Sequence, residues 1–163
     1  MKLATRQGWT AYAIALAVIV LDQLSKYWIL YVYDLPGRLS EQVVGPFHLT
    51  MVWNQGVSFG LLRADADLGR WLLVVFSVVV AIVLVFWARK ADRNLLAAAL
   101  GLVMGGAIGN AIDRARFGAV VDFIDVSRLY FPWVFNIADS GITIGVVLLL
   151  LDSLRRETKG VGA

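Results

Sequence analysis

The sequence predicts an all-α membrane protein: a bundle of four transmembrane helices with a small extracytoplasmic β element, a hairpin or cradle, between the first two. Three observations predict it. Hydrophobic residues make up 60% of the 163, and mean hydropathy is +0.74, more apolar than soluble domains usually are. Four apolar runs, at 9–31, 69–88, 95–113 and 137–154, approach the roughly 20 residues a helix needs to cross a bilayer. Basic residues gather at one set of helix ends.

That charge pattern gives the orientation. Lys2 and Arg6 precede the first run, Arg89, Lys90 and Arg93 separate the second from the third, and Arg155, Arg156 and Lys159 follow the fourth. On that side only Asp92, Asp152 and Glu157 oppose them. The positive-inside rule places both termini in the cytoplasm and turns the longer connections, 34–68 and 114–136, outward. Little sequence is left over, so residues 1–163 are expected to form one polytopic domain. The net charge of +3 then reflects topology. No basic stripe with interleaved aromatics marks a nucleic-acid surface. The first run is too long for the apolar core of a signal peptide, contains Asp22 and Lys26, and lacks a following A-x-A site, so it is read as a retained span.

The first helix carries Asp22 and Lys26, four apart with the acid first, the favourable order for a helical ion pair. Two readings stand. The pair locks the bundle with Lys26 reaching outward, or Asp22 helps shape a polar site. In the next connection, Phe47, Leu49, Met51 and Trp53 alternate with His48, Thr50 and Val52. Asn54-Gln55-Gly56 follows, and alternation resumes at Val57, Phe59 and Leu61. Period two on both sides of a glycine turn predicts a β-hairpin centred on 54–56, with Asn54 and Gly56 as its turn residues. Residues 61–70 read as a short surface helix. In the third helix Gly101, Gly105 and Gly109 form a small-xxx-small stripe for close helix contact. Gly106, Asn110 and Asp113 occupy a neighbouring face.

The acidic residues then converge. Asn110-Ala111-Ile112-Asp113 closes the third helix, and Asn136-Ile137-Ala138-Asp139 opens the fourth. The spacing of three sets each Asn and Asp on one helical face, and both units lie at the same membrane surface. Asp122 and Asp125 lie on the segment between them. Carboxylates gathered at a bilayer edge are costly to keep there and point to chemistry. A salt-bridged helix end explains Asp113-Arg114 as well as a chemical role does. An early-helix acid favoured by the dipole explains part of Asp139. Asp122 stands inside an apolar run, an odd place for a solvated charge. The residues alone leave open whether Asp113 or Asp122 partners Asp139.

Other chemistries lack their residues. Cysteine is absent, which removes disulfides and thiol nucleophiles. The single histidine, His48, has no ligand partner for a zinc site and no adjoining nucleophile. Ser25 and Lys26 are adjacent, about 100° apart around a helix, and do not face each other. No glycine-rich phosphate loop follows a strand. No cofactor or metal is called for. Carboxylate chemistry remains: two close carboxyls share a proton, so that one serves as base and the other as acid. Composition also permits a proton- or cation-coupled transporter, or an assembly subunit whose ion pairs match helices.

Five blocks, in order along almost the whole chain, resemble the lipoprotein signal peptidase (signal peptidase II) family. They are Asp22-Gln-Leu-Ser-Lys26, Asn54-Gln-Gly56-Val-Ser58-Phe59, Gly105-Gly106-Ala-Ile-Gly109-Asn110-Ala-Ile-Asp113-Arg114, Val120-Val121-Asp122-Phe123 and Phe135-Asn136-Ile-Ala138-Asp139. The resemblance implies an intramembrane aspartyl endopeptidase of the bacterial inner membrane. It would cleave diacylglyceryl-modified prolipoproteins on the N-terminal side of the lipidated Cys. It assigns the catalytic dyad to Asp122 and Asp139. Asp113, Arg114, Asn110 and Asn136 would line and support the site, Asn54 and Gly56 would belong to a cradle over it, and Asp22 with Lys26 would be a supporting pair. Membrane lipids and globomycin-type inhibitors are implied as further partners, and a monomer is expected.

Overall fold

The computed structural model describes residues 3–56, 66–129 and 133–160. Helix α1 (Arg6–Tyr27) starts at Thr5, whose Oγ1 accepts the Gly8 amide at 2.9 Å. It widens into a π-helical turn, Trp28–Val32. The single turn α2 (Leu35–Arg38), strands β1 (Ser40–Val44) and β2 (Phe47–Asn54), and helices α3 (Ala66–Ala88) and α4 (Asn94–Phe117) follow. Strand β3 (Val120–Asp125), a 3-10 turn, strand β4 (Val134–Phe135) and helix α5 (Ile137–Gly160) complete the chain. Among the described residues, four stretches are long and apolar enough to cross a membrane: Arg6–Val32, Asp67–Ala88, Asn94–Phe117 and Ile137–Arg155. The helical class and the small sheet agree with the sequence reading.

Helix α4 is the axis of the bundle. It packs against α1, α3 and α5 and is buried for most of its length. Without a hydrophobic force between helices in lipid, close backbone approach must supply the contact energy. The glycine stripe does this. A Cβ at Gly101 would lie 2.6 Å from the Ala11 carbonyl of α1, and one at Gly105 would lie 2.7 Å from the Ala15 carbonyl. Gly106, a quarter turn away, receives α5 through the Ala138 carbonyl. Gly145 returns the contact from α5, against the Ala99 carbonyl. Helix α3 instead leaves Leu72, Val75, Phe76, Val79, Val83 and Phe86 exposed, a surface suited to acyl chains.

The described part of the sheet is larger than the expected hairpin. Phe47–Asn54 is a strand, as expected, and a further tight turn before it, at Gly45-Pro46, joins it to β1. On its other side β2 pairs with β3, from the connection between α4 and α5, with Val52 opposite Asp122. The strand order is β1-β2-β3-β4, all antiparallel. The sheet is therefore built from both long connections, and not only from the one between the first two spans. Alternation marks a strand but names no partner, and the β2–β3 pairing spans about seventy residues of chain. The expected strand at 57–61 lies outside the described residues, as does the first half of the expected helix at 61–70. Its last residues belong to α3. A second core of Ile29, Leu35, Val121 and Phe123 fixes the sheet to the end of α1.

The end of α4 is capped from α3. Gly118 adopts φ +79 and donates its amide to the Arg114 carbonyl, the left-handed helix stop that glycine favours. Arg70 Nε and Nη2 donate to the carbonyls of Arg114 and Ala115, both at 2.7 Å. The helix end is thus closed by Arg70, not by an Asp113–Arg114 ion pair.

Replacing Gly105 with Val would force a branched side chain into the α1 backbone. Overpacking of this kind costs about 1–3 kcal/mol. The detergent-purified Gly105→Val protein is expected to melt several degrees below the parent, while Val79→Ile on the exposed face of α3 leaves the midpoint unchanged. A thermal melt checks both.

Candidate active site

Four of the sequence-predicted residues meet at the sheet end of the bundle in one buried charge cluster. Lys26 does not reach outward; it is 2% exposed. Its Nζ lies 2.8 Å from Asp22 Oδ2 and 2.6 Å from Asp113 Oδ2, and both carboxylates are fully buried. Asn110 Oδ1 is 3.5 Å from the same nitrogen. Gln23, one residue from Asp22, was not singled out from the sequence. Its Nε2 donates to Asp22 Oδ2, Asp113 Oδ1 and the Gly109 carbonyl. Asp113 therefore belongs to an ion cluster in the helix interior.

Asp122 and Asp139 lie apart from that cluster, on the wall of a cleft of about 620 Å³. Strand alternation explains Asp122. Val121 and Phe123 enter the core under the sheet, so Asp122 between them points to the opposite face. A capping box explains Asp139. Asn136 stands just before α5, its Oδ1 accepts the Asp139 amide at 2.8 Å, and Asp139 Oδ2 accepts the Asn136 amide at 3.4 Å. That exchange occupies one Asp139 oxygen. The other, Oδ1, accepts from Asn110 Nδ2 at 2.7 Å.

Asn136 also joins the two acids. Its Nδ2 donates to Asp122 Oδ1 at 2.7 Å and, more distantly, to Asn110 Oδ1 and the Val121 carbonyl. Asn54 holds the second Asp122 oxygen: its Nδ2 donates to Oδ2 at 2.9 Å. Gly56 aims it, because Asn54 Oδ1 accepts the Gly56 amide at 2.8 Å, an Asx turn that needs the positive φ of +75 at Gly56. Asn54 and Gly56 are turn residues and site residues at once. Asp125 stays outside, accepting from Thr50 Oγ1 and the Ser127 amide.

Arg114 is on the last turn of α4, its guanidinium about 3.3 Å from where a Gly56 side chain would begin. Asp139, Asp122 and Asp113 act on it electrostatically, in that order. Its Nε is buried and has no hydrogen-bond acceptor among the described residues. The rest of the cleft is largely apolar, with Trp133, Val134 and Phe135 on one side and Ile142, Thr143 and Ile144 of α5 on the other. The α5 wall carries no signal in the sequence, where it reads as an ordinary spanning face. Among the described residues no cluster of His, Cys, Asp or Glu could hold a metal ion. Burial pushes the Asp122 carboxyl up to about 6. The Asn54 amide opposes the rise, the Asp139 charge adds to it, and Asn136 opposes it. Such a group changes protonation near neutral pH, as a general acid or base should.

Known proteins resemble this chain along most of its length. The family described as Signal peptidase (SPase) II matches residues 14–155. A lipoprotein signal peptidase of Caulobacter vibrioides (strain ATCC 19089 / CIP 103742 / CB 15) is 64% identical over 94% of this chain and 91% of its own length. Another, of Methylorubrum extorquens (strain PA1), is 51% identical over 86% of this chain and 82% of its own. A bacterial membrane enzyme solved by the in meso method at 1.9 Å superposes with TM-score 0.76 and 33% identity, covering 89% of this chain and 92% of its own.

The Asp122 titration is directly measurable. Infrared difference spectra against Asp122→Asn should show a carboxyl midpoint near pH 6. Asn54→Ala removes a donor that favours the ionised form, so the midpoint should move to higher pH. A midpoint near 4, the ordinary value for a carboxyl in water, would contradict the burial argument.

Proposed function

The chain belongs to the signal peptidase II family, and we propose that Asp122 and Asp139 are the catalytic dyad with which it cleaves diacylglyceryl-modified prolipoproteins on the N-terminal side of the lipidated Cys. One observation carries the assignment: two carboxyls from different elements line one cleft, and the Asn136 side chain bonds the carboxyl of Asp122 and the backbone amide of Asp139. The transporter reading has no comparable support.

The geometry supports an aspartyl mechanism. One dyad carboxylate takes a proton from water while the other, protonated, donates to the scissile carbonyl oxygen. The resulting hydroxyl adds to the carbonyl carbon and gives a neutral tetrahedral diol. One carboxyl gives a proton to the amide nitrogen while the other takes one back from a diol hydroxyl, which breaks the C–N bond, leaves the carboxylic acid and frees the lipidated Cys amine. Sharing one proton between two carboxyls makes both roles available without a metal. Arg114 sets a positive charge near both acids, and Asn54 and Gly56 form part of the roof. The apolar walls from Trp133–Phe135 and Ile142–Ile144 suit the substrate's lipid and apolar side chains. Binding energy from that remote lipid would position the peptide. Globomycin-type inhibitors would compete for the same cleft.

The chain would lie in the bacterial inner membrane as a multi-pass monomer, residues 1–163 forming one domain. Its sheet end would face out and both termini would face the cytoplasm. Support comes from the charge asymmetry and from the far end of the bundle. There Thr5 Oγ1 donates to the Ala91 carbonyl, and Arg93 Nη2 meets Asp152 Oδ2 at 3.2 Å. This gathers the basic N-terminal segment, the α3–α4 turn and the later part of α5 at one surface.

Two experiments test these statements. Purified enzyme should cleave a lipidated prolipoprotein, and Asp122→Asn or Asp139→Asn should each abolish cleavage with the fold intact. The matched unlipidated substrate should be cleaved far more slowly. Substantial activity in Asp122→Asn, or equal rates for both substrates, would overturn the respective claim. For orientation, a single cysteine at Arg128 should label with an impermeant reagent from outside intact cells, and one at Lys90 should not. Both positions are exposed.

A further inference from the structure

The two proposed catalytic acids stand on independent elements, a strand and a helix, yet each follows a backbone amide held in the same way. Asp139 follows Ala138, whose N–H donates to Asp22 Oδ1 at 3.0 Å. Asp122 follows Val121, whose N–H donates to Asp113 Oδ2 at 3.1 Å. Both amides are buried. The Ala138 amide is one of the donors that a helix start leaves unsatisfied, and Asp22 of α1 satisfies it from another element. Val121 leads from α4 into the sheet, and Asp113 of α4 holds it. The two carboxylates then meet on one atom, Lys26 Nζ, at 2.8 and 2.6 Å, with Gln23 Nε2 bridging them beside it.

We propose that Asp22 and Asp113 are positioning residues, each gripping the amide immediately before one member of the dyad, and that Lys26 locks both grips to a common point. This rests on the reading that Asp122 and Asp139 react. The reason is electrostatic. Without Lys26, two carboxylates would face the same small buried volume, and one would take a proton or move away. A protonated or displaced carboxyl is a weaker acceptor, and its amide would be released. Strand and helix would then drift separately, although the reaction needs both acids on one water and one carbonyl. Lys26, Asp22 and Asp113 do not line the cleft, so their effect on the reaction passes through Val121 and Ala138. Asp113 thus serves the site without reacting.

The test uses the full-length enzyme in detergent, with two readouts: steady-state cleavage of a lipidated prolipoprotein, and amide hydrogen exchange of segments 119–123 and 136–140 by mass spectrometry. Lys26→Met should lower kcat by about a hundredfold, the scale of an ångström-level misplacement, with KM changed by less than about twofold. Exchange should quicken in both segments. Asp22→Ala should quicken exchange only in 136–140, and Asp113→Ala only in 119–123. Asn at either position restores a neutral acceptor oxygen and should recover part of the protection and part of kcat. A merely structural role would not give this segment-by-segment pattern. Should the Ala variants not fold, the milder Asp22→Asn and Asp113→Asn variants carry the same selective test against the parent. A kcat within about twofold of the parent in Lys26→Met, or exchange quickened equally in both segments by either Asp variant, would overturn the proposal. Asp122→Asn separates it from the dyad assignment. That variant should be inactive with both segments as protected as in the parent, and its activity would refute the dyad while leaving the exchange pattern to stand or fall alone.

Discussion

A lysine ammonium buried between two buried aspartates is the constraint on which the rest of this structure turns. Removing such charges from water is expensive, and breaking a buried pair by deleting one partner costs about 3–5 kcal/mol. The cluster is tolerable because its acceptors are used. Asp22 receives Lys26, Gln23 and the Ala138 amide, and Asp113 receives Lys26, Gln23 and the Val121 amide. The two amide contacts tie α4 and α1 to the segments that present Asp122 and Asp139, and the Lys26 and Gln23 contacts to Asp113 tie α1 to α4. The glycines at 101, 105 and 109 make the arrangement reachable. Only a helix surface without side chains lets α1 come close enough for Asp22 to pack against Gly109, where a Cβ would lie 2.7 Å from its Oδ2.

Around this centre the acids divide their work by environment. Those inside the bundle are paired with a fixed cation. Those at the cleft are held only by neutral amides, from Asn54, Asn110 and Asn136. An amide orients a carboxyl without committing it to the ionised form as firmly as an ammonium would. A group that must exchange a proton is better held in this way. The three asparagines also link one another's neighbours, so the orientation of each acid depends on the turn at Gly56, the end of α4 and the start of α5 together.

The site lies where the fold changes solvent. Below it, the exposed faces of α1 and α3 carry rows of large apolar side chains, as a lipid-facing surface requires. Above it, the sheet supplies polar backbone and the Asn54 roof. The cleft combines the two, with carboxyls at one end and the α5 face of Ile142 and Ile144 at the other. The cleft therefore sets polar and apolar walls side by side.

Much of this was legible in the sequence. The four spans follow from run length, because lipid forces backbone hydrogen bonds inside a helix and leaves a continuous apolar record. The Asp22–Lys26 pair, the glycine stripe and the two Asn-x-x-Asp units follow from helical spacing, which is local geometry. The sequence by itself therefore determined the class, the spans and the short list of polar residues with no bland explanation. It could not separate Asp113 from Asp122. Both are acids at one membrane surface, and only the folded chain turns Asp113 inward to Lys26 while strand alternation turns Asp122 toward the cleft. Nor could it find the partners of β2, because antiparallel pairing across seventy residues is chosen by the packing of whole helices and leaves no periodic mark. Tertiary structure decided which acids line the cleft and which pair with Lys26, since that depends on what surrounds a carboxyl in space and not on what precedes it in the chain.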